Sequence, residues 1–156
     1  MSERAIPNFG ALLGVFIAQV PEPARPRFLA LLERGAAERY RYWAERLPEH
    51  QAGLVACSAR EDEIADRVER VFAIDDAVRE KMNTPLAGAR ETYYSVFEGL
   101  PLLEQLRIQA NAERQGAAAW RGIASGVADA HVREELERCA RLEETSADYL
   151  DRLVSS

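Results

Sequence analysis

Four glutamates of this 156-residue chain stand where the helical pattern of apolar residues calls for an apolar side chain. In the stretch 102–120, apolar or small residues recur every three or four positions, and Glu113 lies on the same face. Glu33, Glu61 and Glu143 interrupt or adjoin the apolar stripes of three other stretches. A charge that is buried without a partner is very costly. Carboxylates that meet in a core must therefore share protons, pair with arginines or bind cations.

The four glutamates are also predicted to lie at one height in the fold. If two helical hairpins turn near Pro48 and Val127, the glutamates lie 13 to 16 residues from their turns. At a rise of about 1.5 Å per residue, their heights then agree within about one helical turn. Two divalent cations would balance four negative charges, and hard oxygen ligands suit iron or manganese. The predicted metal ligands are Glu33, Glu61, Glu113 and Glu143.

The elements that must position these side chains are predicted to be helices. The expected fold is all-α: a four-helix bundle of two antiparallel hairpins joined by a helical crossover, plus a short N-terminal helix. No stretch shows strand alternation or a β-hairpin turn signal. The long helices are predicted at about 26–47, 49–72, 101–125 and 128–154, and the short apolar helix at 9–20. The crossover is predicted as two helical pieces, 74–82 and 85–98, with a break at 83–85.

The chain is predicted to form one domain, 1–156, because its length suits a single core. Its segments are the N-terminal helix and linker at 1–25, hairpin one at 26–72, the crossover at 73–99 and hairpin two at 100–156. The apolar stripes predict the core. They are Phe28, Leu29, Leu32, Ala36, Tyr40, Trp43 and Leu47; Leu54, Cys57, Ile64, Val68, Val71 and Phe72; Leu103, Leu106, Ala110, Ala117 and Trp120; and Val132, Leu136, Cys139, Ala147, Leu150 and Val154.

The two predicted hairpins resemble each other in sequence, which suggests a pseudo-twofold relation between them. The first helices match at an offset of 80 residues and the second helices at an offset of 82. The matched positions are Glu33-Arg34 with Glu113-Arg114, Tyr40 with Trp120, Cys57 with Cys139, Glu61 with Glu143, and Ala65-Asp66 with Ala147-Asp148.

With its four glutamates and its repeat, the chain resembles the ferritin-like superfamily in its small rubrerythrin-type form, over about residues 26–154. That family carries a glutamate on the first and third helices and Glu-x-x-His on the second and fourth. The resemblance implies that Glu61 and Glu143 bridge or chelate, and that Glu33 and Glu113 are terminal ligands. It also implies two iron or manganese ions, with oxidation of ferrous iron or activation of dioxygen or peroxide as the chemistry.

The chain departs from this family at both histidines, because Ile64 and Ser146 occupy their positions. A metal site here would be all-carboxylate, completed by water, Tyr40 or a neighbouring acid. Two alternatives remain open. The glutamates could pair with arginines, or the bundle could be a metal-free binding or assembly module. The candidate arginines are Arg34, Arg60, Arg114 and Arg141.

Composition narrows the functional classes. The net charge of -6 and the lack of a basic stripe argue against a nucleic-acid partner. The apolar run 9–20 is too short to span a bilayer, and it is expected to lie on the domain or to contact a protein partner or a second copy. Two isolated cysteines argue against a disulfide framework, and a cytoplasmic location is expected. No nucleophile triad, phosphate loop or dinucleotide fingerprint is present.

Overall fold

The computed structural model describes residues 5–156, and within that range every regular element is helical. None of the helices in the described range is long and apolar enough to cross a membrane. Two short 3-10 turns, Glu22–Ala24 and Pro48–His50, precede the first two long helices. The helices are α1 (Phe9–Ile17), α2 (Arg25–Arg46), α3 (Gln51–Val71), α4 (Asp76–Lys81), α5 (Asn83–Ser95), α6 (Leu102–Ser125) and α7 (Ala130–Ser155).

Short polar residues start three of these helices. The side chains of Asn8, Asp75 and Asp129 accept hydrogen bonds from backbone N–H groups in the first turns of α1, α4 and α7. Such caps satisfy donors that the helix itself cannot pair. Helix α2 has no such cap, but Pro26 lies in its first turn, where the N–H that proline lacks would have no partner within the helix.

Within each hairpin the two helices are antiparallel. Arg27 at the start of α2 donates to the carbonyl of Phe72, just past the end of α3, at 2.8 Å. Arg121 near the end of α6 pairs with Glu137 near the start of α7 at 3.2 Å. The short connections between the paired helices leave no other arrangement.

The hairpins also meet each other in antiparallel fashion. Arg67 of α3 pairs with Glu135 of α7 at 2.9 Å. The Trp43 indole N–H of α2 donates to Gln105 of α6 at 2.8 Å. Because α3 and α6 both run opposite to α2, the crossover from the end of α3 to the start of α6 must travel the length of the bundle. Helices α4 and α5 span this distance. The chain then turns before α6 at Gly99, whose φ of 73° suits glycine.

The short helix α1 packs on its own domain, against α5, α2 and α6. Phe9 is buried, and Phe16 lies over Gly88 of α5, where an added Cβ would approach its ring to 2.4 Å. The outer side of α1 stays in solvent, with Val15 63% exposed. Helix α1 was expected to lie on the domain or to contact a partner or a second copy, and the structure shows it packed on the domain.

Two details of the sequence prediction were wrong. Leu103 was assigned to the core but is 51% exposed, since it lies in the first turn of α6, beyond the end of the packed interface. The crossover breaks at Met82 rather than at 83–85, because Pro85 lies in the first turn of α5, where proline is tolerated.

The Gly88 contact predicts opposite effects for two glycine substitutions. We expect Gly88→Ala to lower the free energy of unfolding by about 1–3 kcal/mol, because its Cβ overpacks against Phe16. Gly122→Ala in α6 is the control, since nothing lies within 4 Å of the added carbon. It should raise stability by about 0.5–1 kcal/mol. Urea denaturation of both variants measures the difference, and equal effects would contradict the docking of α1.

Candidate metal centre

Three of the four predicted ligands come together inside the bundle. Glu33 of α2, Glu61 of α3 and Glu143 of α7 each place a carboxylate oxygen within 4.8 Å of the others. Glu61 and Glu143 are only 1% and 2% exposed, whereas Glu33 is partly exposed. Three helices that are distant in sequence therefore contribute one cluster of acidic groups.

The fourth ligand, Glu113 of α6, adjoins this cluster and is held by its own hydrogen bonds. Its Oε1 accepts from the Tyr40 hydroxyl at 2.6 Å and from Gln109 Nε2 at 3.0 Å. The amide of Gln109 is oriented in turn by Tyr93 of the crossover, whose hydroxyl donates to Gln109 Oε1 at 2.7 Å. Tyr40, expected as a further ligand, instead fixes a carboxylate.

Several oxygens of the cluster lack a hydrogen-bond donor among residues 5–156. Both oxygens of Glu61, Oε2 of Glu113 and Oε1 of Glu143 are buried without a partner there. Buried polar groups are nearly always hydrogen-bonded, so four such oxygens in one place are unusual. Tyr40 and Gln109 both donate to Oε1 of Glu113, so they leave its Oε2 without a donor.

The arginines that could have neutralised the cluster make other contacts. Arg34 pairs with Asp62 at 2.9 Å, and Arg114 pairs with Asp151. Arg60 donates to Ser146 Oγ at 2.8 Å. The fourth candidate, Arg141, is exposed on α7, where its charge acts on Glu144. None of the four arginines therefore supports the ion-pair explanation of the glutamates.

Burial and mutual repulsion make the cluster hard to ionise. Burial raises the pKa of Glu61 well above its usual value, and the charges of Glu113 and Glu143 raise it further. The pKa of Glu143 is raised in the same way, by burial and by Glu33 and Glu113. Burial also raises the pKa of Glu33, and the charge of Glu113 raises it further. In the absence of a cation, these effects favour the protonated forms of Glu33, Glu61 and Glu143.

A glycine makes room for one of these carboxylates. A Cβ on Gly116 of α6 would lie 2.5 Å from Glu143 Oε2 and 2.9 Å from its carboxyl carbon. Real Cβ atoms do not approach an oxygen so closely. Gly116 therefore lets the Glu143 carboxylate lie against the backbone of α6.

Tightly packed side chains occupy the two positions three residues after Glu61 and Glu143, where the ferritin-like pattern has histidine. Ile64 and Ser146 are both fully buried. The Cys139 thiol lies 3.9 Å from the carbonyl oxygen of Ile64. Burial raises the pKa of Cys139 to about 12 and that of Cys57 to about 11, so both are inert thiols.

Sequence reasoning identified the four glutamates but missed three residues that support them. Gln109 and Gly116 lie on the same helix as Glu113, three or four residues away, and helical spacing could have placed them beside it. The third residue, Tyr93, lies on α5 of the crossover. No sequence pattern could indicate its hydrogen bond to Gln109, because that contact depends on how α5 docks.

Comparison of the chain with models of known protein families, with curated proteins and with solved structures found no match. The chemistry of this centre is therefore argued from its own geometry.

The raised pKa values predict an unusual pH dependence for the metal-free protein. Folding raises the pKa of Glu61 and Glu143, so the folded protein binds their protons more tightly than the unfolded chain does. The resulting stabilisation is complete below the pKa of an unfolded glutamate, about 4.3. It is lost as the pH rises toward the pKa of the folded state. We expect chelator-treated protein to lose stability between pH 5 and pH 8, by up to about 1.4 kcal/mol per pH unit for each retained proton. Urea denaturation at several pH values measures this slope.

The double variant Glu61→Gln/Glu143→Gln should flatten the slope, because its amides carry no proton to lose. Glu63→Gln/Glu144→Gln is the matched control, since it changes the same charge on the same helices at side chains about 40% or more exposed. A slope that is the same in all three proteins would show that the buried carboxylates do not titrate as described.

Proposed function

We propose that this protein is a ferritin-like metal-binding bundle whose centre holds iron or manganese through carboxylates alone. The observation that carries the proposal is the cluster of Glu33, Glu61 and Glu143, whose unpaired oxygens meet no cationic side chain from residues 5–156. Glu113 completes the acidic set. A pair of divalent cations would supply the charge and the oxygen partners that these residues lack.

The donor set fits such ions. Hard oxygen ligands suit iron(II) and manganese(II), and two of the ligands, Glu61 and Glu143, are buried. Glu33, Glu61 and Glu143 would hold one ion, and the free Oε2 of Glu113 would contribute to the second. Tyr40 and Gln109 orient Glu113 by occupying its other oxygen, as outer-shell groups do for metal ligands.

The arrangement of helices supports the ferritin-like part of the proposal. The four glutamates lie on the four long helices, one on each, and the crossover runs the length of the bundle. Two hairpins joined by one long connection and an acidic centre between them are typical of ferritin-like folds. The repeat of Glu61 and Cys57 as Glu143 and Cys139 agrees with this origin.

An iron or manganese pair would supply one-electron chemistry toward dioxygen, peroxide or ferrous iron as a substrate. The residues of the chain would bind and orient the ions. Because burial and the neighbouring charges favour the protonated forms of Glu61 and Glu143, a cation that binds them must displace protons to a base or to water. Metal affinity should therefore rise with pH.

A metal-free module is the second candidate. It is favoured by Ile64 and Ser146, which are fully buried where the family carries histidine ligands. In that case protons would neutralise the carboxylates, and the bundle would act through its surface. Metal content separates the two functions.

Elemental analysis is the first test of the metal site. Protein purified without a tag from cultures with added iron and manganese should carry about two metal ions per chain, as the balance of charge requires. Glu61→Gln/Glu143→Gln should carry almost none, because two ligands lose their charge. Glu63→Gln/Glu144→Gln should match the wild type. A folded wild-type protein with no more metal than the Glu61→Gln/Glu143→Gln variant would overturn the proposal.

Gly116 gives a second test that leaves every ligand in place. Gly116→Ala should displace the Glu143 carboxylate and weaken metal binding by about 10-fold to 100-fold, as expected when the groups around a ligand are disturbed. Gly122→Ala on the same helix is the control, because its Cβ contacts nothing. Titration of the metal-free proteins with manganese measures both affinities, and equal values would contradict the placement of Glu143.

A further inference from the structure

A cavity of about 170 Å³ lies between α2 and α6, beneath α1 and α5. Its walls are mainly apolar and come from four helices. It is partly open to solvent rather than enclosed. Concave, mainly apolar spaces with a few polar groups are typical of sites that bind small molecules. The wall residues that matter here are Phe9, Leu13, Leu32, Ala36, Ala112 and Trp120.

The floor of the cavity is the acidic centre. Glu33, Glu113 and Glu143 line it, while Glu61 does not. The buried indole of Trp120 also lines the cavity. A molecule in this space would lie directly against the glutamates.

Helix α1 forms the outer wall and is fixed in place by one side chain of α6. Gln115 Oε1 accepts from the backbone N–H of Phe9 at 2.8 Å, and Gln115 Nε2 donates to the carbonyl of Pro7 at 2.9 Å. Gln115 itself lines the cavity. Specific hydrogen bonds therefore hold α1, the outer wall of the cavity, on the domain.

We propose that this cavity binds one small, uncharged, mainly apolar molecule of about the size of toluene. An apolar cavity of about 150 Å³ binds benzene, so the volume here admits a single such ring. Either an anion or a cation would lose hydration against the apolar walls. Binding does not require metal, whereas the role of this molecule as a substrate of the centre rests on the proposed function.

The two tryptophans of the chain provide the measurement. Trp120 lines the cavity, whereas the Trp43 indole is bonded to Gln105 in the core and serves as an internal reference. We would titrate toluene into metal-free, full-length protein and follow both indole N–H signals by nitrogen–proton NMR, assigned with Trp43→Phe. The Trp120 signal should shift saturably while the Trp43 signal stays in place.

Substitutions in α6 test the location. Ala112→Phe fills the cavity and should weaken toluene binding at least about tenfold. Ala118→Phe, at an exposed position outside the cavity, should leave binding unchanged. If Ala112→Phe fails to fold, Ala119→Trp replaces it, because Ala119 lines the cavity at an exposed position that tolerates a large side chain.

Three results would overturn the proposal. The first is that the Trp120 signal shows no saturable shift up to the solubility of toluene. The second is that the variants with a filled cavity bind toluene as tightly as the wild type, and the third is that benzylamine or benzoate binds more tightly than toluene. Each is independent of metal content. Failure of the metal site with normal toluene binding would leave the cavity assignment standing, and the reverse result would leave the metal centre without this ligand.

Discussion

Burial of four carboxylates is the constraint on which the rest of this structure depends. Ionised carboxylates in a protein interior cost several kcal/mol each unless they are compensated. The bundle nevertheless brings Glu33, Glu61 and Glu143 within 4.8 Å and adds Glu113 beside them. Apolar packing of the long helices must offset this electrostatic cost wherever protons or cations do not remove it.

The distribution of arginines does not remove this cost. The chain has many arginines on the faces of the long helices, and they pair with acids at the rim of the bundle. Pairs of this kind contribute only about 0–1 kcal/mol each, so they set register more than stability. None of these pairs reaches the centre, where a cation would have the greatest effect. Neutralisation is left to protons or to ions that enter from solution. The rim pairs are Arg34 with Asp62, Asp66 and Glu69; Arg67 with Glu63 and Glu135; and Arg121 with Glu137 and Glu144.

The sequence predicted the helices and the four glutamates because both depend on local periodicity. An acidic residue on an apolar stripe is visible without a structure, and counting residues from the turns gives its height. Contacts between distant elements were not visible. The hydrogen bond of Tyr93 to Gln109, the position of α1 on α5 and the cavity beneath α1 all follow from the docking of the crossover, which no repeat or spacing encodes. Leu103 was misplaced for a related reason, since periodicity shows which face is apolar but not where the interface ends.

The residues at positions 64 and 146, where the ferritin-like pattern has histidine, limit what kind of ion could occupy the proposed centre. Ile64 and Ser146 are fully buried, and Ser146 accepts a hydrogen bond from Arg60, so neither position is vacant for another ligand. An ion here would be held by oxygen alone. Imidazole favours zinc and copper, whereas carboxylates favour harder ions such as manganese. If the proposed function is right, protons would compete with the metal for these carboxylates. Such a centre would select hard cations and would fill more completely as pH rises.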